Sequence, residues 1–133
     1  MPDLELKRFK NRIIATKTID ARPPAFSDFP PGLNKEIIEF LKGCGIDKLY
    51  CHQTEMFDKV MAGNNVIITT STASGKTLGF MLPVIQRILD DPTLRAIFVY
   101  PTKALAHDQF RNMVPVLDYF GKKRIMAGIY DGD

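Results

Sequence analysis

Apolar positions along the chain fall into two kinds of pattern. Leu33, Ile37, Ile38 and Leu41 share one face at helical spacing, with Asn34 placed as an N-cap and Gly43 as a terminator. A second helical stripe, Met56, Phe57, Val60 and Met61, predicts a helix from about Gln53 to Ala62, stopped by Gly63. Three other stretches read as strands: the apolar run Val66 to Thr69, the continuous apolar run Ala96 to Tyr100, and about Arg124 to Tyr130. The continuous run fits a parallel strand covered on both faces. Between them lie two further helices, one from the end of the 70–77 loop to about Leu89, with Pro83 costing it a backbone bond, and one opening at Pro101 with Thr102 as N-cap. The Pro-rich stretch 21–32 predicts an extended connection rather than a regular element. Helix, helix, then β-α-β-α-β without internal repeat predicts a doubly wound α/β sheet, its ligand at the carboxyl ends of the strands.

Composition narrows the class without changing that picture. The 133 residues are 45% hydrophobic and 25% charged, which describes one soluble globular domain with a core of its own. No apolar stretch approaches a membrane span and the first residues lack a signal-peptide core, so a cytoplasmic monomer away from any membrane is expected. Two cysteines, Cys44 and Cys51, are too few for a disulfide framework, and the Cys51-His52 spacing matches no common zinc pattern. A net charge of +3 is compatible with an anionic partner, and the basic cluster Lys7, Arg8, Lys10 and Arg12 reads as a solvated terminal face.

Chemistry concentrates in Thr70-Ser71-Thr72-Ala73-Ser74-Gly75-Lys76-Thr77, set between an apolar run and a helix. Its small residues let backbone N–H groups converge on a phosphate at a helix N-terminus. Lys76 then reaches the β- and γ-phosphates and the Thr77 hydroxyl holds Mg²⁺, which makes these two the catalytic pair and Thr72, Ala73, Ser74 and Gly75 the cradle. Thr70 stands where the common phosphate-loop pattern has a first glycine. The alternative is a helix-capping turn.

Taken with that loop, Leu49-Tyr50-Cys51-His52-Gln53 and Tyr100-Pro101-Thr102-Lys103-Ala104-Leu105-Ala106-His107-Asp108-Gln109 resemble the adenine-reading motif, motif I and motif Ia of superfamily 2 helicases of the DEAD/DEAH-box kind. The wording is most similar to the Hrq-type and mitomycin-repair-type DNA helicases, over about Phe26 to Asp133. The resemblance implies a partial RecA-like P-loop domain: a parallel sheet with flanking helices, preceded by two short helices. It implies ATP and Mg²⁺ as cofactors and nucleic acid, DNA ahead of RNA, as partner. Gln53 would read the adenine edge through its amide, the alternative being an ordinary helix-start glutamine. An upstream aromatic that stacks on the base is supplied by Phe26 or Phe29, of which Phe29 is carried into the binding set; either could instead anchor the linker on the core. Pro101, Thr102 and Lys103 would hold the nucleic-acid backbone, against the plainer reading of a capped helix start. His107 has no evident catalytic partner.

The helicases of this group also carry an acidic motif II, and no Asp-Glu pair occurs in the sequence. Asp131 follows an apolar stretch without a glutamate after it, and the terminal Tyr-Asp-Gly-Asp resembles a segment ahead of motif II. On that reading 1–25 is an N-terminal segment and 26–133 the N-terminal part of the first motor domain, ending before motif II. The expected function is that of an N-terminal fragment of an ATP-dependent DNA helicase, inactive alone. A small stand-alone nucleotide- or nucleic-acid-binding module and an unrelated P-loop kinase are the alternatives.

Overall fold

The computed structural model describes Arg12 and residues 23–71, 74–121 and 124–131. The other members of the N-terminal basic cluster, and Thr72 and Ala73 of the loop, lie outside the described residues. The described elements are β1 (Phe26–Ser27), α1 (Lys35–Gly43), β2 (Leu49–Tyr50), α2 (Cys51–Met61), α3 (Lys76–Asp90) and α4 (Lys103–Phe120).

All four helices start and stop for identifiable reasons. Asn34 accepts from Glu36 N at 2.8 Å, the N-cap bond its side chain was expected to make. The glycine that reverses the chain after α1 is Gly45, not Gly43: its φ is +78°, and the bonds Gly45 N to Lys42 O and Ile46 N to Leu41 O, both 2.9 Å, make a Schellman cap. Gly63, with φ +84°, closes α2 in the same way. Buried Gln86 on α3 accepts from Asn34 N at 2.7 Å and donates to Asp90, so α1 is fastened at its first turn to α3. Arg87 reaches across to the carbonyl of Val60 at 3.1 Å, which also accepts from Gly63 N at 3.0 Å where α2 ends.

The core is built where α1, α2 and α3 meet. Leu33, Ile37, Leu41, Leu49, Phe57 and Leu82 are buried there, and Val116 and Phe120 of α4 join the same cluster. The predicted stripes are therefore the packed faces, with Ile38, Val60 and Met61 at the half-buried margin. Pro83 lies inside α3 and is buried. Gly79, four residues before it, faces α2: a Cβ there would sit 3.4 Å from Met56 Sδ.

One expectation needs correction, and another finds no ladder among the described residues. The Pro-rich connection is not wholly irregular, because Phe26 pairs with Tyr50 and Ser27 with Leu49 in a short antiparallel ladder. And the three apolar runs at 66–69, 96–100 and 124–130 form no ladder among the described residues, so no parallel sheet is seen. Ile67 is 93% exposed, and Ile97 and Val99, at 88% and 87%, lack the cover expected of the 96–100 run. A cavity of about 930 Å³ separates α3 and α4 from the second and third runs, far more than a close-packed interior leaves. Among the described residues no helix is long and apolar enough to cross a membrane.

Candidate nucleotide and nucleic-acid site

The loop enters α3 through Gly75, whose φ is +77°. That backbone conformation costs an L-residue about 1–2 kcal/mol and glycine nothing comparable. A Cβ there would also lie 2.6 Å from Gln53 Nε2, so the Gln53 amide, bonded at both ends, would have to shift. Helix α3 has no side-chain cap and no acidic residue in its first turn. Its N-terminal N–H groups and the positive end of its dipole thus face the loop without a competing carboxylate.

Lys76, the first residue of α3, folds its ammonium back over this loop. Nζ donates to Thr70 O at 3.0 Å, to Thr70 Oγ1 at 3.2 Å and to Ser71 O, with Ser74 Oγ at 3.4 Å. The hydroxyls of Thr70 and Ser74 are themselves hydrogen-bonded. One cation is thereby ringed by neutral oxygens, partners a phosphate would replace with charged and stronger acceptors. Thr77, one residue on, donates its hydroxyl to Gln109 Oε1 of α4 at 3.1 Å.

Gln53 is only 3% exposed, and its amide is divided between two backbones. Oε1 accepts from Tyr50 N at 2.9 Å, fixing the start of α2, and Nε2 donates to Gly75 O at 2.8 Å, fixing the entry to α3. An amide has two lone pairs and two N–H groups, so one acceptor and one donor remain. Beside it Tyr50 stacks on Phe26 at 5.0 Å and on His52 at 5.5 Å. Phe26 is 52% exposed, whereas Phe29 is half-buried against the core. Pro24, Tyr50, His52, Thr70 and Ser74 line a hollow of about 520 Å³ between this aromatic row and the loop.

At the start of α4, Thr102 Oγ1 accepts from Leu105 N at 3.3 Å, which leaves the hydroxyl proton able to donate outward. Pro101, Thr102 and Lys103 are all exposed. Burial pushes the Tyr100 hydroxyl up from its ordinary value. His107 does have a partner: its Nε2 lies 3.0 Å from Asp131 Oδ2, an ion pair when the imidazole is protonated.

The structure therefore brings together Gln53, Ser74, Gly75, Lys76 and Thr77, and sets Pro101, Thr102 and Lys103 at the head of a neighbouring helix tied to Thr77. Sequence reasoning gave no role to Gln109, Tyr50 or His52. Stacking and a bond between residues 32 apart leave no local signal.

A family model described as DEAD/DEAH box helicase matches residues 50–133. The chain is 39% identical over 129 residues to the uncharacterized ATP-dependent helicase YprA of Bacillus subtilis, covering 97% of this chain and 17% of that protein. It is 39% identical over 103 residues to the ATP-dependent helicase hrq1 of Schizosaccharomyces pombe, covering 76% of this chain and 10% of that one. A crystal structure of the helicase MrfA bound to DNA and AMPPNP superposes with a TM-score of 0.80 at 41% identity, covering 86% of this chain and 16% of that chain. The chain thus spans less than a fifth of the length of these relatives while matching them over most of its own. It belongs to the DEAD/DEAH box helicase family.

Proposed function

We propose that this chain is the nucleotide-binding front of an ATP-dependent DNA helicase, with residues 26–133 forming the N-terminal part of its first RecA-like domain and 1–25 a segment ahead of it. The observation that carries the reading is the junction at Gly75: a left-handed glycine whose carbonyl is held by one buried glutamine, an uncapped helix and a lysine turned into the loop. These residues fit a magnesium triphosphate, because the donors at the head of α3, N–H groups and an ammonium, suit a multiply charged anion. Lys76 neutralises charge on the β- and γ-phosphates. Ser74 and Gly75, with Thr72 and Ala73, wrap the phosphate, and Thr77 offers its hydroxyl oxygen to Mg²⁺.

The base lies in the hollow beside the aromatic row. Gln53 presents its remaining N–H and lone pair to adenine, so that base recognition bears directly on Gly75. Of the two upstream aromatics the exposure favours Phe26 for stacking, with Phe29 holding the linker on the core. The apolar runs at 66–69, 96–100 and 124–130 are strands of a parallel sheet whose order brings the phosphate loop and the head of α4 to one edge. Pro101, Thr102 and Lys103 meet the nucleic-acid backbone there, through N–H groups, the Thr102 hydroxyl and charge. The DNA-bound MrfA structure supports a DNA partner.

Two substitutions in the full-length protein separate these sites. Lys76→Ala abolishes ATP hydrolysis and unwinding and leaves DNA binding largely intact. Lys103→Ala weakens DNA binding across all sequences and lowers the salt slope by about one ion, since a phosphate contact carries no base information. A change of base preference in Lys103→Ala, or loss of strand binding without nucleotide in Lys76→Ala, contradicts the assignment.

A further inference from the structure

Thr77 and Gln109 are 32 residues apart and on different helices, yet their side chains meet. Thr77 Oγ1 donates to Gln109 Oε1 at 3.1 Å, both residues being half-buried. The Gln109 Nε2 faces Asp108 Oδ2 at 3.4 Å, which turns the amide so that its oxygen points at the threonine. Gln109 stands six residues into α4 from Lys103, about 9 Å along the axis at 1.5 Å per residue.

A hydroxyl has one proton and two lone pairs. An oxygen that gives a lone pair to a metal must still place its proton, and metal coordination polarises the O–H so that its bond to an acceptor strengthens. Outer partners of this kind fix the orientation of the ligand and raise its affinity for the ion. Gln109 Oε1 is already at hydrogen-bond distance from the hydroxyl assigned to Mg²⁺. We infer that Gln109 is a positioning residue for magnesium: it accepts the hydrogen bond of the Thr77 hydroxyl, aims the Thr77 lone pair at the ion, and ties the metal site to the helix that Thr102 caps and Lys103 opens. The inference rests on the proposed binding of Mg·ATP at the loop and goes beyond it, because it assigns the residue that sets how tightly Thr77 engages the ion.

The test uses the full-length protein and a fluorescent ATP analogue titrated at increasing Mg²⁺, alongside the same titration in EDTA. Gln109→Leu keeps the volume but removes the acceptor, and is expected to raise the Mg²⁺ concentration for half-maximal tightening by about 10- to 100-fold. Metal-free nucleotide binding stays unchanged. Gln109→Glu restores an acceptor oxygen and needs no more Mg²⁺ than the wild type. A merely structural role predicts instead that Gln109→Leu weakens binding equally with and without Mg²⁺, and that result overturns the inference, as does an unchanged Mg²⁺ requirement or a Gln109→Glu protein as impaired as Gln109→Leu. Absence of magnesium-dependent nucleotide binding in the wild type itself would overturn the underlying reading of the loop, and this inference with it. Normal wild-type dependence with an unresponsive Gln109→Leu overturns the inference alone.

Discussion

Replacing Gly75 with alanine strikes the junction in two ways that can be measured apart. The residue sits at φ +77°, where an L-side chain costs about 1–2 kcal/mol. Its new Cβ would also lie 2.6 Å from Gln53 Nε2, a distance the side chain relieves only by moving. Gln53 is buried and bonded at both ends of its amide, so moving it weakens the bonds to Tyr50 N and Gly75 O. At about 0.5–1.5 kcal/mol for each such bond, the full penalty is about 2–5 kcal/mol. In a Gln53→Ala background the Cβ has room, and only the backbone strain of about 1–2 kcal/mol remains. Urea unfolding of the wild type, both single variants and the double variant gives the coupling, expected at about 1–3 kcal/mol. Penalties equal in the two backgrounds within about 0.5 kcal/mol refute the packing argument. A penalty near zero in both refutes the left-handed constraint as well.

Phe26→Ala is expected to weaken ATP binding by about 1–3 kcal/mol, the range for a lost base–aromatic stack, without lowering stability. Phe29→Ala should do the opposite, with a stability loss below the roughly 3–5 kcal/mol of a fully buried phenylalanine; calorimetric titration and thermal melting distinguish them. Arg124, hydrogen-bonded to Glu36, lowers the carboxyl below its usual 4.5, with burial opposing and charge attraction adding. A depressed carboxylate stabilises above its unfolded pKa, and that contribution is lost as pH falls through the folded value. Melting temperature should therefore decline more steeply below pH 4.5 in the wild type than in Glu36→Gln.

What could be read from the chain was local. Asn34 and Thr102 cap helices because a short oxygen before an apolar stripe has little else to do. The glycine of the α1 terminator was misplaced by two residues because Gly43 and Gly45 look alike in sequence, and only the pairing of Ile46 N with Leu41 O selects Gly45. The ladder between Phe26 and Tyr50 spans too few residues to leave a periodic trace. The apolar run at 96–100 predicts a strand, yet it joins no ladder among the described residues, because pairing is a property of neighbours and not of the run. Gln53 shows the same limit at the site. Its residue type and position drew attention to the adenine edge, whereas its bond to Gly75 O depends on how α2 and α3 pack, which is held by Gly79 against Met56.

Calorimetric titration of Mg·ATP and Mg·GTP into the wild-type protein and Lys76→Ala tests the assignment of the loop most directly. Gln53 and the aromatic row should favour ATP by about fivefold or more, since a paired amide contact to a base edge discriminates by about 1–3 kcal/mol. Lys76→Ala should weaken both nucleotides, because the ammonium acts on the phosphates they share. Equal affinity for ATP and GTP, or affinities that Lys76→Ala leaves unchanged, would contradict the site as built here.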